Sequence, residues 1–182
     1  MVRKVLIGLG LFLGLLVLVG FLLPRTCTLQ KSITVNAPVH SVFMEVAELK
    51  NWPHWSPWYN LDSSMVVVYS NPTLGEGSWY SWTSKKVGNG KMTVTGYVPD
   101  EQLVSNMDFD GNGFADATHS FKAIDGKTEV TWSFSSDLGA NPLYRYFGLF
   151  MDSMVGRNYE KGLANLKTYV ETHRASEPVA VE

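Results

Sequence analysis

The side chains able to do chemistry are few and scattered, since histidine occurs four times and cysteine once in 182 residues. His119 shares one strand face with Ala115, Ala117 and Phe121, so its imidazole points to an interior, where it would act as a general base. The plainer role for it is a polar side chain hydrogen-bonded at the sheet face. Asp116 alternates with Phe114 and Thr118 and is the second candidate base. No nucleophile, base and orienting group fall at a spacing that would make a triad or an acid–base pair, so no catalytic set is assigned.

Two other patterns resemble ion sites and fail on their chemistry. Asp108-Phe109-Asp110-Gly111-Asn112-Gly113, with Asp116 at the ninth position, opens like a calcium loop. His119 then stands where a bidentate glutamate is needed, and the flanks have strand composition, so the stretch reads as a β-hairpin turn. Gly126-Lys127-Thr128 lacks the upstream glycine of a phosphate-binding loop. Cys27 has no disulfide partner, and no Cys or His spacing suits zinc, so neither a metal nor a cofactor is expected.

The aromatic residues are more informative, at 13% of the chain with six tryptophans. An apolar ligand pocket is lined by aromatics with a few polar groups that fix orientation. Trp55, Trp58 and Trp82 are the tryptophans assigned to such a lining, and Trp132 to the core. Tyr80, Tyr97 and Tyr146 would supply orienting hydroxyls, and Met107, Phe150 and Met154 further apolar wall.

The elements that must position these residues follow from patterning. Thr28 to Val35 reads as a strand, and Asn36-Ala37-Pro38 as a helix start with Asn36 as cap, leading into a short helix from Val39 to Ala47. Residues 51–58 hold two prolines and three tryptophans, which suggests an irregular but packed loop. Six strand-like segments follow: Ser64 to Ser70, Ser78 to Thr83, Lys91 to Val98, Gln102 to Phe109, Phe114 to Ala123 and Thr128 to Ser135. Gly, Asn, Asp and Pro separate them, the composition of an antiparallel meander. Val130, Trp132 and Phe134 mark one apolar face that needs a cover. A helix from Asn141 to His173 supplies it, with Leu143, Phe147, Met151, Val155, Tyr159, Leu163, Leu166 and Val170 in one row. Tyr146, Phe150 and Met154 widen that face beyond a single sheet contact, and Gly156 marks a kink. Residues 174–182 read as an unstructured tail.

Ahead of all this, Arg3 and Lys4 precede an unbroken apolar run from Val5 to Leu23, ended by Pro24 and Arg25. Nineteen helical residues span ~28 Å, about one hydrocarbon layer. No small-residue cleavage site follows the run and no polar stripe interrupts it, which favours a retained anchor over a signal peptide or a core helix. Residues 1–27 are accordingly read as a transmembrane anchor with a short linker. Arg3 and Lys4 favour a cytoplasmic N-terminus, which puts the C-terminal domain of an inner-membrane protein outside the cytoplasm. The 17 acidic residues all lie beyond the anchor and outnumber the basic ones, which argues against a nucleic-acid partner.

Several local stretches carry a family resemblance: Ala37-Pro38, residues 51–58, Gly75-Glu76-Gly77-Ser78-Trp79-Tyr80-Ser81-Trp82, Gly90-Lys91-Met92-Thr93-Val94, Lys127-Thr128-Glu129-Val130-Thr131-Trp132, and Tyr159 to Lys167. In this order, over residues 28–173, they resemble the START-like helix-grip superfamily (SRPBCC), in its bacterial polyketide cyclase/dehydrase-like branch. The resemblance implies an α+β fold, with a curved antiparallel sheet of about seven strands wrapped around a long C-terminal helix. It also implies that a hydrophobic small molecule or lipid is held between sheet and helix. Only some members resembling this branch are catalytic, and no shared catalytic set is carried over. A membrane-tethered binding module is therefore the leading expectation, and a cyclase or hydrolase using the same cavity the alternative. Protein partners are not legible.

Overall fold

The computed structural model describes residues 2–62, 64–111 and 113–174. Each hairpin of the meander forms where the chain supplies residues that tolerate a left-handed backbone. At Asp125-Gly126 both residues have positive φ, 49° and 74°, the turn whose twist matches that of paired strands. The resulting strands are β1 (Thr26–Val35), β2 (Val66–Tyr69), β3 (Trp79–Thr83), β4 (Gly90–Val98), β5 (Gln102–Asp108), β6 (Phe114–Ile124) and β7 (Lys127–Asp137). They form one antiparallel sheet in the order β1-β7-β6-β5-β4-β3-β2. The first strand thus pairs with the last, from Thr26 opposite Asp137 to Val35 opposite Thr128.

Alternate residues of this sheet, including Leu29, Val35, Met92, Val94, Leu103, Val130 and Trp132, are buried on one face. Two helices cover it. α2 (Val39–Ala47) buries Val42, Phe43, Val46 and Ala47, and α5 (Arg157–Arg174) buries Tyr159, Leu163, Leu166 and Val170 at helical spacing. The α+β helix-grip architecture expected from the sequence is the one observed.

Three local expectations are corrected. Pro38, with no side-chain cap, occupies the N-cap of α2. Asn36 instead donates its backbone N–H to Glu171 Oε1 on α5, at 2.7 Å. Residues 49–60 are three short helical turns, Leu49–Asn51, α3 (Trp52–Trp55) and Pro57–Asn60. Pro53 and Pro57 fall in first turns, where a missing N–H costs nothing. The expected single helix from Asn141 is broken into α4 (Arg145–Gly148), a π-helical turn (Asp152–Gly156) and α5. Changing pitch rotates the apolar row, so Leu143 and Phe147 are exposed at 49% and 56% and only the residues from Met151 onward turn toward the sheet. Lys31 of β1 braces the break, pairing with Asp152 at 3.0 Å and Glu160 at 2.9 Å. Helix α5 takes in Arg174, the first residue of the tail expected at 174–182, and the rest of that tail lies outside the described residues.

Close approach of α5 to the sheet depends on Gly162. A Cβ there would lie 2.8 Å from Trp132 Cζ3 and 2.9 Å from Pro57 Cδ. Gly162→Val should therefore cost about 1–3 kcal/mol by overpacking, read as a lower denaturant midpoint of the full chain in detergent. An unchanged midpoint would show that the helix has slack.

α1 (Val2–Leu22) is a helix long and apolar enough to cross a membrane once. Almost all its side chains are exposed, and it touches the domain at α4. Gly20 packs on Pro142, Tyr146 Oη donates to Leu16 O at 2.7 Å, and Arg145 Nη1 donates to Phe21 O at 3.0 Å and Leu23 O at 3.1 Å.

Candidate functional site

Between the concave sheet face, the 52–65 segment and the helical run from Met151 to Tyr159 the core is not filled. A cavity of about 360 Å³ remains there, within the ~300–1,000 Å³ usual for small-molecule sites. Its inner end is walled by Trp52, Tyr80, Trp132 and Tyr159, all buried. Trp132 stacks on Tyr159 at 4.0 Å between centroids, and Tyr80 lies 5.5 Å from Trp52. Trp52 is fixed by donating its indole N–H to Val46 O at 2.8 Å.

Strand register shows where the cavity opens. Thr26, just after α1, faces Asp137; Asp116 faces Ser135; Asp108 faces Phe114; Lys91 faces Asp108; and Trp82 faces Gly90. These pairs share one end of the sheet, the end at which α1 joins. Phe114, Phe109, Trp82, Ser136 and Met151 line the cavity at that end, and all are partly or fully exposed. The cavity is sealed at depth and opens at the end of the sheet where α1 joins.

Asp62 holds one side of this opening. Its carboxylate accepts from the Ser64 N–H at 3.0 Å, the Ser64 hydroxyl at 2.7 Å and the Ser84 hydroxyl at 2.6 Å, which ties the loop before β2 to the β3–β4 hairpin. These donors hold its carboxyl well below the usual carboxylate range.

Of the residues assigned to the lining from sequence, the structure brings Trp58, Tyr80, Trp82 and Met107 to the cavity wall. Five lie elsewhere. Trp55 is wholly buried behind the wall, where it donates to Glu45 O at 3.3 Å and meets Trp132 edge-on. Tyr97 packs edge-on against Phe43 at 5.3 Å, in the core under α2. Tyr146 is bonded to α1, and Phe150 and Met154 are exposed at 58% and 63%, because the break before α5 turns them outward.

Neither candidate base lines the cavity. His119 is fully buried, edge-on to Trp52 and Trp55 and stacked on Trp132 at 4.8 Å. Both its ring nitrogens lack a hydrogen-bond partner among the described residues, and burial pushes its pKa down to about 3. Asp116 lies on the opposite, solvent-facing side, accepting from Asn106 Nδ2 at 2.8 Å.

Sequence reasoning passed over Tyr59, Ser105, Ala117, Phe134, Val155 and Tyr159 as wall residues. Phe134, Val155 and Tyr159 lay on faces already marked as apolar, so a signal for them existed. Ser105 and Ala117 are small, and it is their lack of bulk that leaves the space. Among the described residues the wall carries no carboxylate, imidazole, amine or guanidinium. Its polar groups are serine hydroxyls, indole N–H groups and the phenols of Tyr59, Tyr80 and Tyr159, whose pKa values burial drives upward, so they remain protonated donors. Trp132 Nε1 is a buried donor without a partner among the described residues.

The comparisons agree with this architecture. CalU16 from Micromonospora echinospora is 15% identical over 81% of this chain and 79% of its own, with a TM-score of 0.52. SA2116 from Staphylococcus aureus, a protein of unknown function, is 11% identical over 84% and 99%, with a TM-score of 0.62. The di-domain ARO/CYC StfQ of the steffimycin biosynthetic pathway is 10% identical over 83% of this chain and 52% of its own, with a TM-score of 0.64. At these identities the likeness is one of fold. No curated protein matches the chain in sequence. The family model described as polyketide cyclase / dehydrase and lipid transport matches residues 26–171, nearly the whole chain beyond α1. The chain belongs to the polyketide cyclase/dehydrase and lipid transport family.

Proposed function

We propose that this protein is a membrane-tethered binding module that holds a hydrophobic or amphipathic small molecule or lipid in the cavity between sheet and C-terminal helix. The observation that carries this reading is the lining itself. About 360 Å³ is enclosed by aromatic, methionine and small side chains with a few neutral hydrogen-bond donors. Such a wall gains free energy by removing apolar surface from water, ~25 cal/mol per Å², and selects for an oxygen acceptor at depth. The unpartnered Trp132 N–H is one donor that such an acceptor would satisfy. Proton-transfer chemistry finds less support, because His119 is held neutral behind the wall and Asp116 lies on the far face. The ligand-binding domain is taken as residues 28–173 and the anchor as residues 1–27. Arg3 and Lys4 favour a cytoplasmic N-terminus, with the domain beyond the inner membrane.

Titration of the full chain in detergent with a polarity-sensitive alkyl fluorophore tests the binding reading. Saturable, blue-shifted emission that a membrane lipid extract displaces is the expected result. Emission that rises only in proportion to detergent would refute it.

A further inference from the structure

The segment that breaks the C-terminal helix exposes an unusual run of apolar side chains. Leu143, Tyr144, Phe147, Leu149, Phe150 and Met154 are 49% to 63% exposed. Scattered exposed apolar residues need no explanation, but a contiguous patch does. The segment's two charged side chains are both engaged, Arg145 with the carbonyls of Phe21 and Leu23, and Asp152 with Lys31.

What covers this patch follows from its attachment to α1. Tyr146 bonds to Leu16 O, while Arg145 bonds at Phe21 and Leu23. From Leu16 to the end of the helix at Leu22 is ~9 Å of rise, so the segment lies alongside the last turns of the apolar span. That distance matches the ~5–10 Å to which interfacial elements sink their apolar face below the headgroups. The carbonyls at the C-terminal end of α1 have no intrahelical donors, and the Arg145 guanidinium bonds two of them, at Phe21 and Leu23. Met151, from the same stretch, lines the open end of the cavity, and Val155, one turn further on, lines its wall.

Resting on the tethered reading above, we propose that residues 143–154 are a second membrane contact: they insert into the interface of the bilayer that α1 crosses and turn the cavity mouth toward it. The ligand then passes between bilayer and cavity without crossing bulk water, and the class it must belong to is membrane-dissolved lipids rather than water-soluble molecules.

Depth measurement on the full chain tests this. Met154→Cys in a Cys27→Ala background, labelled with a nitrobenzoxadiazole dye, is reconstituted in phosphatidylcholine–phosphatidylglycerol vesicles containing doxyl-labelled lipid. Glu101→Cys, in the β4–β5 turn at the opposite end of the sheet, serves as reference. The account predicts that the dye at 154 is quenched by doxyl lipid several-fold more than the dye at 101 and is shielded from dithionite added outside. A dye at 154 that dithionite bleaches, in a chain that resists carbonate extraction, overturns the insertion and leaves the tether standing. A dye shielded from both quenchers shows a protein-covered face and also overturns it. Release of the chain by carbonate overturns the tether itself, and the insertion with it.

Discussion

Ala117→Phe should lower affinity for an apolar ligand by about 100-fold or more while leaving the fold in place, the equivalent of ~3 kcal/mol of lost binding. Ala117 is 3% exposed on the concave face of β6, opposite Ser105 of β5 and Phe134 of β7, and all three line the cavity. A phenyl ring grown from its Cβ enters a space of about 360 Å³ and takes up much of it. The ligand loses both room and apolar contact. The fold loses little, because the ring fills a hollow rather than displacing packed atoms, so strain of ~1–3 kcal/mol is offset by the burial it gains. Calorimetric or fluorescence titration beside a melting curve separates the two effects. Undiminished affinity in a folded variant would remove the cavity from consideration as the site.

The second large effect concerns acid stability. His119 has a pKa of about 3 in the folded chain, held down by burial, against ~6.5 when unfolded. At pH 7 and above both states carry a neutral ring, and the group contributes no pH dependence. Below pH 6.5 the unfolded chain takes up a proton that the folded one refuses, so stability falls by ~1.4 kcal/mol per pH unit. Between pH 7 and pH 4 that amounts to ~3 kcal/mol. His119→Leu removes this loss and also the two buried nitrogens that lack partners among the described residues, which would otherwise cost ~1–3 kcal/mol each. Urea unfolding at pH 4 and pH 7 should show the variant at least as stable as the parent at neutral pH and more stable in acid. The same variant should keep its ligand, since His119 does not line the cavity. A parent and variant with parallel pH profiles would contradict the buried, neutral imidazole.

How much of this was legible beforehand depended on what each signal measures. Strand alternation gave the right face for Ala115, Ala117, His119 and Phe121, all of which are buried. It carries no information on depth along the strand, so it puts His119 beside the cavity, whereas the ring lies behind Trp132. The row from Leu143 to Val170 repeats at helical spacing, yet spacing alone does not say what the row faces. From Tyr159 onward its buried members face the sheet. Leu143, Phe147 and the neighbouring Phe150 share the composition and remain exposed beside α1, because pitch changes through the π-helical turn. Trp52 and Trp55 are three residues apart in one helical turn, and one lines the cavity while the other fills the core. Aromatic composition marks both and distinguishes neither. The emptiness itself comes from Ser105 and Ala117, where the informative feature is missing bulk.

The central claim is that the hollow under the sheet holds an apolar molecule. Organic extraction and mass spectrometry of the full chain, compared with Ala117→Phe purified identically, tests it directly, since lipids on the surface of α1 are common to both and cancel. The account predicts one apolar species near equimolar with the parent chain and depleted in the variant. Identical extracts from two folded proteins would contradict it.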